Sequence, residues 1–168
     1  MNKWKPATFD NWLVVGIMDK EYIENKYFDD TIRDLILTHH NFTLKSIERN
    51  VCMNGKMETE TDVIMYCETD MKALPRKIGI ELKENDLPKA IRQAYKRRKY
   101  FNYFYIVINL LSETLFQSLV KDYNLYEAIK VAGVGIISYP DKKLLYPSSF
   151  CSIPLSVDDV LKVKNEMS

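Results

Sequence analysis

Residues 77–86 read KIGIELKEND, from Lys77 to Asp86. An apolar run of strand character ends in Glu81-Leu82-Lys83 and then turns polar. In an extended chain successive side chains alternate between the two faces of a sheet, so Glu81 and Lys83 share one face and Leu82 takes the other. A strand that reads as buried therefore ends by presenting a carboxylate and an ammonium together. Acid-x-Lys is a loose pattern, found also at Glu24-Asn25-Lys26, Asp70-Met71-Lys72 and Asp141-Lys142-Lys143. Those three fall in a predicted helix or in turns, where side chains two apart do not share a face or stand in solvent.

The preceding strand brings a second element. METETDVIMY, residues 57–66, alternates Glu58, Glu60 and Asp62 with Thr59, Thr61 and Val63. Its acids share a face that leads into apolar residues, and pairing with 77–84 would bring Asp62 close to Glu81. Two carboxylates side by side in a partly buried site repel each other. Such a site calls for a cation, and oxygen ligands suit Mg²⁺ or Mn²⁺. Lys83 would stand at its rim, near enough to orient a water.

Outward from these strands, the pattern predicts a helix over about 20–39, with Tyr27, Phe28, Ile32, Leu35 and Ile36 at helical spacing. A strand over 42–51 and the Asn54-Gly55 hairpin signal lead into a return strand over about 56–67. Pro75 marks the turn before 77–84. Asp86 and Pro88 supply helix-start chemistry, and Leu87, Ala90, Ile91, Ala94, Tyr95 and Phe101 trace an apolar face. Gln93, Lys96, Arg97 and Tyr100 fall beside it. The β-branched and aromatic run from Tyr103 to Leu111 reads as a buried central strand. Helices are predicted over 112–120 and 125–132, then a closing hairpin around Pro140-Asp141 and a short helix from Val157. This order implies an α/β fold, a mixed central β-sheet flanked by helices.

The 168 residues suit one domain, and 46% hydrophobic with 28% charged residues is an ordinary globular composition. No apolar run approaches the length of a membrane span. The opening MNKWKPATFDNW lacks a signal-peptide pattern, and Cys52, Cys67 and Cys151 have no metal-ligand spacing. Both observations predict a cytoplasmic protein with reduced thiols. The net charge of +1 hides an asymmetry. Six acids face three bases from Asp19 to Asp34, and ten bases face three acids from Lys72 to Lys99. The basic segment suits either a surface facing a polyanion or a solvated helix face.

Asp62-Val63-Ile64, then Ile78-Gly79-Ile80-Glu81-Leu82-Lys83, then a helix bearing Gln93 and the strand from Tyr103 together resemble the PD-(D/E)xK nuclease superfamily. The resemblance spans about 20–139 and includes the GVGIIS segment at 133–138. Thr61 stands where the family pattern is named for proline. The resemblance implies a restriction-endonuclease-like core, α-β-β-β-α-β, within a single nuclease-like domain over 1–168, the hairpin and tail at 140–168 lying beyond the core. It implies a DNA endonuclease with Mg²⁺ or Mn²⁺ held by Asp62, Glu81 and the backbone carbonyl of Leu82. Lys83 would position the attacking water, and Gln93 would face the site from the next helix. Glu24 is the choice for an added acid from the first helix, with Glu21, Asp29 and Asp30 as competitors. Lys89, Arg92, Lys96, Arg97 and Lys99 would follow the DNA backbone, and a homodimer would suit cleavage of both strands.

The chemistry is coherent beside the resemblance. Phosphodiester hydrolysis needs an activated water and a counter-charge, and a metal ion supplies both. A lysine of ordinary pKa is a poor base at neutral pH, so Lys83 is expected to act as donor and charge. The same residues also suit a non-catalytic nucleic-acid-binding or assembly protein, or a surface ion pair on an edge strand. Glu58 and Glu60 read as a solvated strand face. His39-His40, at a predicted helix end, would complement the dipole as imidazolium.

Overall fold

The computed structural model describes residues 24–55 and 60–164. Glu24 and Asn25 form a helical turn that stops short of Asp29, and helix α1 then runs Asp30–His40. The single helix expected over 20–39 is thus interrupted, and residues 20–23 lie outside the described residues. Asp29 causes the break: it is the N-cap of α1, its side chain accepting the Ile32 N–H at 3.0 Å. Asn41 closes α1 in the left-handed conformation (φ 54°).

Strand β1 (Phe42–Cys52) is followed by a 3₁₀ turn at Met53–Gly55, with 56–59 outside the described residues. Then come β2 (Glu60–Thr69), β3 (Pro75–Lys83), helix α2 (Leu87–Arg97) and β4 (Tyr103–Ile108). Helices α3 (Ser112–Lys121) and α4 (Tyr123–Ala132), strands β5 (Gly135–Ser138) and β6 (Lys143–Tyr146), and helix α5 (Val157–Lys164) complete the order. The six strands lie side by side in chain order. The pairs β1–β2, β2–β3 and β5–β6 are antiparallel, whereas β3–β4 and β4–β5 are parallel. Helix α2 carries one parallel crossover, and α3 with α4 carries the other. The protein is therefore α/β, with a mixed sheet flanked by helices.

Each face of the sheet holds its own core. On one face Ile32 and Ile36 of α1 meet Val63, Met65, Ile78, Ile80 and Leu82. On the other, Leu87, Ala90, Ile91 and Ala94 of α2 meet Ile64, Phe104, Ile106 and Ile108. Each fully buried aliphatic or aromatic side chain contributes about 1.5–3 kcal/mol. Gly79 is needed on the α2 face: a Cβ there would stand 2.6 Å from the Phe104 ring and 2.8 Å from Phe101. Helix α5 lies against β1, β2 and β3, and its Val163 joins the α2-side core. The tail thus covers the first half of the sheet.

Two expectations about side chains are corrected. Tyr95 is 64% exposed, not part of the apolar face of α2, because it falls beyond the edge of the stripe set by Leu87, Ala90 and Ala94. His40 does not serve as an imidazolium at the helix end. It lies between Phe42 and Tyr103 and shares a 2.6 Å hydrogen bond with the Tyr105 hydroxyl. Burial, and then the charge of His39, holds it down at about 4, so it is neutral at pH 7. Cys52, Cys67 and Cys151 are free thiols. Among the described residues no helix is long and apolar enough to cross a membrane.

Candidate active site

The last ladder pair between β2 and β3 is Val63–Ile80. The next residues along, Asp62 and Glu81, turn their side chains to the α2 face, since Val63, Ile80 and Leu82 occupy the other. Past the ladder's end the Leu82 N–H donates to the Asp62 carboxylate at 2.7 Å. A side chain thus replaces a strand partner and fixes Asp62 beside the end of β3. Leu82 itself is wholly buried toward α1.

Glu81 is buried, and both of its oxygens are engaged. Lys83 Nζ lies 2.9 Å from one, and the Arg97 guanidinium donates to the other. Arg97 reaches Glu81 because α2 crosses the face on which Glu81 stands. Its position continues the Ala90–Ala94 stripe by three residues, so the helix turns it inward. Lys83 also lies 3.7 Å from Glu24. Glu24 reaches the site through an anchor beside it: Tyr27 donates to Glu84, and Asn109 Nδ2 donates to Glu84 at 3.1 Å and to the Tyr27 hydroxyl at 3.2 Å. The segment 24–27 is thereby tied to the ends of β3 and β4.

These groups line one cleft of about 250 Å³, together with Asn25, Asn50, Glu60 and Gln93. The structure brings together Glu24, Asp62, Glu81, Lys83 and Gln93, all chosen from sequence. Gln93 Oε1 is buried there without a hydrogen-bond partner, as is Arg97 Nε. Glu60, expected on a solvated face, borders the cleft because β2 extends past the end of its ladder with β3. Glu58 and Glu21 lie outside the described residues.

Arg97 is a correction. It was grouped with the bases that would follow DNA, yet it is 6% exposed and its charge is spent on Glu81. Arg98, the next residue, is buried as well and donates to the carbonyls of Phe101, Asn102 and Ser149. Of the run Lys96-Arg97-Arg98-Lys99, only the two lysines face outward, beside Lys89 and Arg92.

The electrostatics follow from this packing. Burial first, and then the Glu81 charge, pushes Asp62 up to about 7. Burial also raises Glu81 above the usual carboxylate range, against the opposing pull of Lys83 and Arg97. Burial would lower Lys83, but Glu81 and then Asp62 and Glu24 outweigh it, and the ammonium is held above its ordinary value. Lys83 is therefore a fixed cation and donor, not a base. Around the cleft Glu24, Glu60, Asp62 and Glu81 face Lys83 and Arg97. Four carboxyl groups therefore face two cations, and the acids outnumber the bases two to one.

Among the described residues, no group of three or more His, Cys, Asp or Glu side chains stands in a metal-binding arrangement. The donor chemistry nevertheless fits a hard divalent cation: the acids outnumber the cations, the ligands are oxygens, and such an ion would relieve the Glu81 repulsion that adds to burial in raising Asp62. No known protein family, curated protein or solved structure matches the chain.

Proposed function

We propose that this protein is a divalent-metal-dependent DNA endonuclease of the PD-(D/E)xK type, hydrolysing phosphodiester bonds with Mg²⁺ or Mn²⁺. The observation that carries the reading is the gathering of the buried carboxyls of Asp62 and Glu81 with Glu24 and Glu60 in one cleft, beside a lysine held protonated. Asp62, Glu81 and the Leu82 carbonyl would hold the ion, with Glu24 as an added acid. A bound ion would supply a water of lowered pKa and Lewis-acid stabilisation of the phosphoryl oxygens. Lys83 donates a hydrogen bond and its charge to the anionic phosphate or to the attacking water. Gln93, with its amide oxygen unpartnered, orients that water or a ligand of the ion. Glu81 would hold the ion through the oxygen it shares with Lys83, leaving that ammonium for the phosphate while Arg97 stays on the other oxygen.

That same pairing favours a second reading. Glu81 is already neutralised by Arg97 and Lys83, as in a nucleic-acid-binding or assembly protein on this scaffold that does not cleave.

Calorimetric titration with Mn²⁺ and cleavage of a panel of labelled DNA structures separate the two. The nuclease reading expects Mn²⁺ binding that is lost in Asp62→Ala and Glu81→Gln. It also expects cleavage that falls by at least about 100-fold in Lys83→Ala. Thermal melts establish that each variant is folded. Salt-dependent DNA binding by the wild type, with neither Mn²⁺ uptake nor cleavage, would establish the second reading instead.

A further inference from the structure

Helix α2 has a second working face, on its outer side. Lys89, Arg92 and Lys96 are exposed there, three and four residues apart, and form one stripe. Beyond the stripe the Tyr95 ring stands 64% exposed. Tyr95, with Ile91 and Ala128 of α4, borders a groove of about 390 Å³ that the three bases also line. Gln93 is the hinge of the arrangement, because it lines both this groove and the acidic cleft. Around the helix the order is therefore cleft, Gln93, basic stripe, Tyr95.

A solvated helix face accounts for the three bases without calling for an aromatic ring beside them; Phe116 and Tyr123 are as exposed as Tyr95, but only Tyr95 adjoins the stripe. A duplex accounts for the bases but keeps its base faces inside its own stack. An unpaired strand presents both phosphates and base faces. Basic residues that track the backbone, with an aromatic ring on which a base stacks, form the general arrangement for single strands.

We propose that the outer face of α2 binds an unpaired DNA strand leading to or from the cleft, with Tyr95 stacking on a base and Lys89, Arg92 and Lys96 holding phosphates. The inference rests on the nuclease reading for the identity of the cleft. It narrows the substrate to DNA with a single-stranded portion, such as a flap, a frayed end or a branch. Tyr95 sets the preference for unpaired DNA, and the bases set the affinity.

The test is fluorescence anisotropy with a labelled oligo-dT and a blunt duplex of equal length, in EDTA, so that binding is read without cleavage. The wild type is expected to prefer oligo-dT. Tyr95→Ala is expected to weaken oligo-dT binding between about 5-fold and 100-fold, with duplex binding changed less than about twofold. Tyr95→Phe, which keeps the ring, should restore the preference. Lys96→Ala should weaken both probes and flatten the salt dependence by about one phosphate contact. Failure of the wild type to bind oligo-dT at low salt would overturn the proposal, as would equal weakening of both probes by Tyr95→Ala. Tyr95-dependent binding without metal-dependent cleavage would leave this surface standing while removing the nuclease reading. Cleavage without a strand preference would do the reverse.

Discussion

Strand β3 carries charge at both of its ends on one face, and the two ends behave in opposite ways. At its start, Lys77 pairs with Asp159 of α5 at 2.9 Å, while nearby Lys162 pairs with Glu48 at 2.8 Å. Tyr66 ties these together, donating to Glu48 and accepting from Lys162. Each of these two acids has its own lysine, and the cluster borders a groove of about 410 Å³ beside α5. Burial alone would raise Asp159, but Lys77 outweighs it and holds the carboxyl below its ordinary value. At the far end Asp62 and Glu81 are both raised, the acids outnumber the cations, and the cleft stays open. The contrast separates a charge-matched cluster from one with acids in excess. Matched charges stabilise the fold, whereas acids in excess of their cations leave charge unanswered.

The largest test of this contrast is Lys77→Ala. It leaves Asp159 with the Ser156 N–H but no counter-charge, and a loss of about 2–3 kcal/mol in urea unfolding is expected. A loss under about 1 kcal/mol would make this end no different from a surface pair.

Asp62→Asn should act in the opposite direction. The native carboxyl titrates at about 7, above the usual 3.8. The folded state therefore binds the proton more tightly than the unfolded state between these values. On this account wild-type stability falls as pH rises from about 4 to 7, and the penalty is complete above 7. The asparagine removes it, so the variant should be more stable by on the order of 2 kcal/mol at pH 8, with little difference at pH 4. Melting curves across that range would read the crossover. Equal stability at pH 8 would mean that the open end carries no strain.

The smallest effect is expected at Lys162→Ala. Its pair with Glu48 is about a third exposed on both sides, and a change within about 1 kcal/mol is expected in the same unfolding assay. A larger loss would show that Tyr66 couples this pair to Lys77.

Much of the candidate site could be read along the chain. Glu81 and Lys83 share a face by the period of two, but the Asn54-Gly55 signal did not set the register of β2: a two-residue turn there would put Cys52 opposite position 57, whereas Cys52 pairs with Glu60. The place of Asp62 beside Glu81 comes from the β2–β3 ladder, which ends at Val63–Ile80. Gln93 follows from the helical period. Arg97 did not, because a run of four bases carries no marker of which points inward; the packing of α2 on β4 decides it. Glu24 was the chosen acid of several, and its place depends on the anchor of Tyr27, Asn109 and Glu84, three residues distant in sequence. The break at Asp29 was hidden by apolar spacing that runs on through it, so the cap overrode the period.

By itself the sequence determined the order of elements, the mixed sheet and the strand face on which the acid and lysine stand, because local backbone geometry converts spacing into direction. The tertiary structure alone decided the balance of charge. It set Arg97 against Glu81, Lys77 against Asp159 and Tyr95 in solvent, because a side chain's partner and its desolvation depend on what packs across from it. That information lies in contacts between distant segments and leaves no periodic trace in the chain.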